Sequence, residues 1–205
     1  MSPKISDEHK ELRRQQILEA AERVFIRKGY EPATMKDFVE EAEMSRGWIY
    51  LYFQSKEEIF GALMEKFDTA NAKEMNEQLE ETDSTWEALV ALLNQQKKDL
   101  SATAESLSPT FYEYYLSGWR DSLRREQLTR RFERSIAGYT RLLQTGVDRG
   151  EFNPSLPIAL VAKIIVSQLD GILSHTLAVG AEQAEADRLL DALIVYTRQL
   201  LGVSK

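Results

Sequence analysis

Large aromatic rings crowd a short stretch of the chain that is flanked by basic residues. Four rings fall within six positions, at Trp48, Tyr50, Tyr52 and Phe53. Rings at this spacing cannot all share one face of a helix, so some of them must be exposed. Exposed rings beside Arg46 and Lys56 favour a surface that contacts phosphates and base edges. Packing of all the rings into a core is the alternative.

The overall charge, taken alone, argues against a nucleic-acid partner. The 205 residues carry 26 Lys and Arg against 33 Asp and Glu, a net charge of -7, whereas a chain that neutralises phosphates usually displays a basic face. Basic residues do cluster around the aromatic stretch: Lys4, Lys10, Arg13, Arg14, Lys36, Arg46 and Lys56. Their local placement supports DNA binding, which we expect to be weak at high salt.

Composition disfavours catalysis and metal binding. The absence of cysteine excludes disulfides and thiolate ligands. With only two histidines, the candidate clusters are Glu40, Glu41 and Glu43, and Asp170 with His175. Neither cluster supplies the ligands that a metal site needs, and the glutamates are better explained as solvated helix surface. An enzyme is the disfavoured alternative, and we predict no catalytic residue, metal or cofactor.

Residues 1–14 are mostly charged and polar, without the apolar core of a signal peptide. No apolar run approaches the ~18 residues that cross a membrane. We therefore expect a cytoplasmic protein with no membrane partner, and the lack of cysteine fits a reducing compartment.

Apolar residues recur at three- and four-residue spacing along the chain, which predicts an all-α protein. The first helix, about residues 10–28, ends at Gly29. Thr34 and Ser45 are good N-caps for two short helices, and a capping box at Ser55 opens a long fourth helix.

Further helix starts are predicted at Ser84 and Ser108. The last three predicted helices cover about residues 121–149, 158–179 and 184–201. Two short capped helices that follow a packing helix have the geometry of a helix-turn-helix, whose last helix must be exposed to enter the major groove. We predict this motif at residues 34–56.

Four segments of this region carry a recognisable pattern: Gly29-Tyr30, Thr34 to Val39, Ala42 to Phe53 and Ser55 to Ile59. The most specific part reads Gly-x-x-Tyr-x-Tyr-Phe-x-Ser-Lys-Glu from residue 47. Over roughly residues 13–60 the sequence resembles the N-terminal domain of the TetR family of transcriptional regulators. The resemblance implies a DNA-binding domain at residues 1–60 and a larger helical domain for effector binding and dimerisation at residues 61–205.

The resemblance also implies DNA-contacting roles, which the chemistry of the side chains supports. Thr34 can bond a phosphate at the N-terminus of the second helix, where free amides and the helix dipole favour an anion. On the first turn of the reading helix, Arg46 is suited to guanine and Gly47 allows close approach. The implied set is Thr34, Lys36, Ser45, Arg46, Gly47, Trp48, Tyr50, Tyr52 and Lys56. In the family the two tyrosines contact DNA through their hydroxyls and the last lysine binds a phosphate.

Two residues depart from the family pattern. Glu43 stands in the turn where glycine is usual, and a left-handed conformation there costs a non-glycine residue ~1–2 kcal/mol. Trp48 replaces what is typically a small residue at a base-facing position. We expect it to read its operator through a thymine methyl group or a stacked contact, so the family's target sequences cannot be transferred.

For the second domain, the resemblance implies a small-molecule sensor that dimerises through its last two helices. The predicted helices 158–179 and 184–201 are apolar around more than half their circumference, which is more than packing against one core requires. We therefore predict a homodimer through these helices. A symmetric dimer would read a palindromic double-stranded operator.

Rings with polar tips suit a pocket for an aromatic or amphipathic effector. The predicted pocket residues are Phe111, Tyr112, Tyr115, Trp119, Tyr139, Gln168 and His175. Ordinary core packing is the alternative for each of them. Residues 120–134 are rich in arginine, which is typical of a solvated helix face; attraction of an anionic effector is the alternative there.

The sequence thus predicts a repressor that occupies its operator until a small molecule favours a dimer spacing unfit for DNA. The alternative is a DNA-binding regulator without a small-molecule effector, controlled by a protein partner.

Overall fold

The computed structural model describes residues 7–203, and within them the chain forms nine α-helices and no strand. The helices are α1 Asp7–Lys28, α2 Met35–Glu41, α3 Arg46–Tyr50, α4 Lys56–Glu81, α5 Thr85–Ser101, α6 Ser108–Ser117, α7 Ser122–Asp148, α8 Ile158–Val179 and α9 Ala186–Leu201. Short 3-10 turns cover Thr103–Glu105 and Gly118–Arg120. The all-α prediction is confirmed.

The chain divides into two compact units. The first consists of the described residues up to Thr69 together with Glu105–Ser117, and so contains α1 to α3, the first half of α4, and α6. The second consists of Ala70–Ala104 and the described residues from Gly118 onwards. The predicted boundary at residue 60 therefore lies inside α4, and α6 belongs with the first unit although the sequence placed it in the second domain. The domain limits stay a prediction.

A cluster of aromatic rings forms the core of the first unit. Phe25 of α1 lies 5.0 Å from both Phe38 of α2 and Phe60 of α4, measured between ring centroids. Two rings of α6 extend this cluster, since Phe111 and Tyr114 lie 5.3 and 4.8 Å from Phe60. The rings hold α2 against α1 and α4, and α2 in turn positions the short α3.

The core of the second unit lies between α5, α7, α8 and α9, where the fully buried side chains include Leu89, Leu143, Val161 and Leu190. The N-terminus of α5 is capped from a distance by Glu151, whose carboxylate accepts the N–H groups of Thr85 and Trp86 at 2.9 and 3.2 Å.

One sequence expectation needs correction here. Ile158–Val179 is long and apolar enough, by length and composition, to cross a membrane, although no apolar run of that length was expected. Val161 and Ile165 of this helix belong to the core of the second unit, but only 28% of its most apolar window is buried.

Candidate nucleic-acid interface

The second helix is short, and residues at its own start and on its buried face hold it in place. Thr34 adopts an extended backbone and accepts the N–H of Asp37, while the Asp37 carboxylate accepts the N–H of Thr34. This reciprocal pair is a capping box, in which two amides without helical partners are satisfied. The buried ring of Phe38 anchors the helix, so its exposed face can carry other residues.

Ser45 caps the reading helix α3, since its hydroxyl accepts the N–H of Trp48 at 3.4 Å. Ile49 is fully buried and fixes the helix to the unit. Arg46, Gly47 and Trp48 are exposed, with 41% of Trp48 accessible, and a Cβ added at Gly47 would meet no atom within 4 Å. The first turn of α3 therefore presents a surface that another molecule can approach closely.

The four rings divide between surface and core, which confirms that they cannot all be buried. Phe53 is buried, and the Arg14 guanidinium lies 5.6 Å from the centre of its ring. Tyr50 and Tyr52 are half-buried. The guanidinium of Arg46 lies 5.2 Å above the Tyr50 ring, a cation–π contact that restricts where this arginine points.

Glu43 occupies the turn between α2 and α3 with φ of 52°, the left-handed conformation that the sequence suggested for this position. A cavity of about 250 Å³ beside the turn is lined by Arg13, Glu43, Met44, Ser45 and Trp48. The turn thus keeps its helix-turn-helix geometry without glycine, at the cost of backbone strain at one residue.

At the start of α2, the predicted phosphate ligand Thr34 is already engaged. Its hydroxyl donates to Asp37 Oδ2 at 2.8 Å, and Lys28 donates to Asp37 Oδ1 at 2.6 Å. The Lys28 hydrogen bond, followed by that of Thr34, lowers the pKa of Asp37. In the free protein the Asp37 carboxylate therefore occupies the first turn of α2, where the sequence predicts a phosphate contact. Lys36 is highly exposed, with Glu40 3.4 Å away.

Lys56, the predicted phosphate ligand, has an ammonium group that is engaged within the protein. Its ammonium donates to the carbonyl oxygens of Tyr30, Glu31 and Ala33, at 2.9, 3.0 and 3.3 Å. The same ammonium lies 4.5 Å from the centre of the Tyr30 ring. Since an ammonium has three N–H groups, this set of acceptors can use all of them.

Other basic residues near the interface are held by acidic or polar partners. Arg23 and Arg27 of α1 both bind Glu41, whose pKa these two hydrogen bonds lower, with Arg23 contributing more. Arg13 donates to Gln16, and Arg14 lies 3.5 Å from Glu11. Lys4 lies outside the described residues.

The predicted effector residues fall in both units. Phe111, Tyr112 and Tyr115 lie on α6 in the first unit, where the ring of Phe111 packs 5.4 Å from Phe67 and Tyr115 is exposed. Their packing is that of a core helix with one exposed ring.

The other four effector residues lie in the second unit. Trp119 is exposed beneath the Arg120 guanidinium, and Gln168 and His175 are exposed on α8. Burial, and then the negative charges of Asp170 and Glu74, raise the pKa of Tyr139 to about 12. None of the seven residues lines the cavity beside the turn between α2 and α3, and their role stays a prediction.

Sequence reasoning missed Glu113, whose carboxylate accepts the backbone N–H groups of Tyr30 and Glu31. These contacts join residues more than 80 positions apart, and no local pattern signals them.

Comparison with known proteins places these features in context. Residues 17–63 match the family model described as bacterial regulatory proteins, tetR family, and residues 88–187 match the tetracyclin repressor-like C-terminal domain. The chain is 38% identical over 201 residues to the uncharacterized HTH-type transcriptional regulator YfiR of Bacillus subtilis, with 98% of each chain covered. It is 28% identical over 197 residues to the transcriptional repressor AcnR of Corynebacterium diphtheriae, covering 92% of this chain and 93% of that protein.

The fold is also similar to solved structures. The complex of SmeT with triclosan aligns with a TM-score of 0.75 at 20% identity, covering 92% of this chain and 90% of SmeT. SmeT is the repressor of a multidrug efflux pump of Stenotrophomonas maltophilia. At this identity the likeness concerns the fold alone.

Proposed function

Because the chain belongs to the TetR family of transcriptional regulators, whose members are not enzymes, we propose that it is a cytoplasmic repressor released from a palindromic operator by a small molecule. The observation that carries DNA reading is the first turn of α3, where Arg46, Gly47 and Trp48 are exposed while Ile49 anchors the helix. The last helix of such a motif enters the major groove with this turn foremost.

In the proposed complex, Arg46 reads a guanine and Trp48 contacts a thymine methyl group or stacks against the DNA. Thr34, Lys36, Ser45, Gly47, Tyr50 and Tyr52 complete the contact surface. The Thr34 hydroxyl would have to turn from Asp37 to a phosphate. Lys56 contributes its charge and also the position of the loop whose carbonyl groups it binds.

We propose a homodimer formed by α8 and α9. Both helices expose large apolar side chains, with accessible fractions of 45% at Leu160 and 60% at Val195. Only 28% of the most apolar window of α8 is buried within the described chain. A second copy of the same two helices would cover this surface and form a symmetric interface.

The proposed effector is aromatic or amphipathic. Triclosan bound to SmeT shows that a protein of this fold accepts an aromatic ligand. In this chain the proposed contacts are Phe111, Tyr112, Tyr115, Trp119, Tyr139, Gln168 and His175. Repression is the mode in the name of AcnR, which aligns along nearly the whole chain.

Selection of bound sequences from random double-stranded DNA tests the proposal. We expect a palindrome whose half-sites lie about one helical turn, or a multiple of it, apart. An Arg46→Ala, Trp48→Ala double variant should lose the selected sequence, whereas Arg130→Ala, on an exposed part of α7, should keep it. Failure of the wild-type protein to enrich any sequence would contradict the proposal.

A thermal-shift screen separates an effector-released repressor from a regulator controlled by a protein partner. Stabilisation by an aromatic or amphipathic compound that also releases the selected DNA would support an effector-released repressor. If compounds of that chemistry leave the thermal midpoint unchanged, control by a protein partner is favoured.

A further inference from the structure

The loop between α1 and α2, residues 29–33, is held by one carboxylate from α6. Gly29 ends α1 with φ of 81°, and this left-handed turn directs the next two amides to the same side. The N–H groups of Tyr30 and Glu31 donate to Glu113 Oε2 at 2.7 Å and Oε1 at 3.0 Å. Hydrogen bonds to an ionised acceptor are about twice as strong as those between neutral groups.

A side chain at the first residue of the turn would displace the Glu113 carboxylate. A Cβ built on Gly29 would lie 2.6 Å from Glu113 Oε2. Glycine at this position thus serves both the backbone conformation and the approach of the carboxylate.

An opposite charge holds the carbonyl groups of the same two residues. Lys56, at the start of α4, donates to the carbonyl oxygens of Tyr30 and Glu31, as well as to Ala33. Residues 30 and 31 therefore have a carboxylate on their amides and an ammonium on their carbonyls. The loop is fixed between α6 and α4 by charge as well as by packing.

This loop leads directly into the reading motif. Ala33 is buried, and the next residue, Thr34, is the N-cap of α2. Since α2 is only seven residues long, a shift of the loop moves α2 and, through the following turn, α3. The contact of α3 with base edges depends on that position, because hydrogen bonds weaken steeply away from their preferred distance and angle.

We infer that Glu113 is a positioning residue for DNA binding: from α6 it fixes the residue 29–33 loop and thereby the placement of α2 and α3. The inference rests on the proposed DNA-binding function. It assigns to α6 a part in operator recognition through a residue that does not touch DNA.

The direction in which Glu113→Gln changes DNA affinity separates positioning by Glu113 from a simple effect of its charge. Glu113→Gln removes a negative charge from the DNA-binding unit, which by charge alone should strengthen binding to a polyanion. Glutamine has one acceptor oxygen, so it can satisfy only one of the two amides. Positioning by Glu113 predicts the opposite result, weaker binding to the selected operator by about tenfold.

Thr110→Val provides the matched control on the same helix. Thr110 is buried and donates to the carbonyl oxygen of Phe25 at 2.9 Å. Its replacement removes an α6 to α1 hydrogen bond but leaves the bonds from the Tyr30 and Glu31 amides to Glu113 in place. We expect a lower thermal midpoint for both variants, with operator affinity reduced only for Glu113→Gln.

Amide hydrogen exchange of the full-length protein provides a second readout that does not need DNA. Glu113→Gln should speed exchange in peptides covering residues 29–34, whereas Thr110→Val should leave these peptides unchanged. If Glu113→Gln does not fold, Glu113→Asp can replace it. Its side chain is one methylene shorter, and we expect a loss of operator affinity smaller than about tenfold.

The outcomes separate the role of Glu113 from the proposed DNA-binding function. A wild-type protein that binds its operator, together with a Glu113→Gln variant that binds equally or more tightly, overturns the role of Glu113 alone. An equal loss for Thr110→Val overturns it as well, because the effect would then follow general stability. A wild-type protein that selects no DNA overturns the proposed function first.

Discussion

The side chains of the reading helix differ in how firmly the structure holds them. Ile49 is fully buried, whereas Trp48 one position before it is 41% exposed. Arg46 lies between these extremes, since its guanidinium rests 5.2 Å above the ring of Tyr50. A guanidinium restricted in this way loses less entropy when it binds a base edge than a freely moving one.

Arg46→Ala should therefore change which sequences the protein prefers. A bidentate contact from arginine to guanine discriminates by about 1–3 kcal/mol against other bases, so we expect one position of each half-site to lose its preference. Lys36→Ala is the control. Removal of this exposed lysine should weaken binding to all sequences alike and lower the salt dependence of binding. Sequence logos and salt titrations of both variants check this. An unchanged logo for Arg46→Ala would place the reading contact elsewhere.

Glu43→Gly should stabilise the protein. Glu43 has φ of 52°, which costs a non-glycine residue about 1 kcal/mol or more, and glycine removes that cost. We expect the free energy of unfolding to rise by about 0.5–1 kcal/mol. Glu40→Gly, within the helical backbone of α2, should instead lower it by about 1 kcal/mol. Urea unfolding curves of the two variants measure both effects. Destabilisation by Glu43→Gly would show that the Glu43 side chain stabilises the protein by more than its left-handed backbone conformation costs.

At the scale of the helices, local signals made the starts predictable. Thr34, Ser45 and Ser84 cap the helices that they were predicted to cap. Helix α8 has the predicted bounds, and α7 lies between its predicted terminal residues Asp121 and Arg149, which form its caps. Caps depend on residues three or four positions apart, so sequence alone reveals them.

Some contacts could not be predicted in this way, one of them local and the others between distant segments. At Ser55 the capping box formed only in part, because the Glu58 side chain accepts the N–H of Gln54. The predicted effector residue Phe111, on α6, packs on Phe60, about 50 positions earlier in the chain. The interactions of Glu113 and Lys56 with the residue 29–33 loop are also long-range. The helix periodicity places such residues on a face but does not say what that face meets.

The capping box of α2 makes its stability depend on pH. The hydrogen bond from Lys28, and then that from Thr34, lower the pKa of Asp37 below its ordinary value of 3.8. A depressed folded-state pKa stabilises the protein above the unfolded-state value, and this contribution is lost as the pH falls through the folded-state value. Asp37→Asn should therefore lower the free energy of unfolding at pH 7 by about 0.5–1 kcal/mol.

The difference between Asp37→Asn and the wild-type protein should narrow as the pH falls below about 4. Urea unfolding between pH 3 and pH 7 measures it. Glu40→Gln, at an exposed site paired with Lys36, is the control and should change little at any pH. A constant difference between Asp37→Asn and wild type would show that the Asp37 charge does not stabilise α2.

At the scale of the whole molecule, the proposed mechanism needs two reading helices at a fixed spacing. One copy of this chain presents a single α3 of five residues, which gives few base contacts. A palindromic site doubles these contacts only if a symmetric interface holds both copies in register. In the proposed mechanism, dimerisation through α8 and α9 and operator affinity are therefore linked.

Val195→Glu should test this link. Val195 is 60% exposed on α9, so a charge there should not disturb the core of the second unit but would be buried without a partner in the proposed interface. Leu123→Glu is a matched control, because Leu123 is a 71% exposed apolar residue of α7. In sedimentation velocity at micromolar concentration, the wild-type protein and Leu123→Glu should be dimers and Val195→Glu a monomer. Val195→Glu should also lose most of its affinity for the palindrome while keeping its helical circular dichroism and weak binding to a half-site. A Val195→Glu dimer that binds the palindrome normally would mean that another surface joins the two copies.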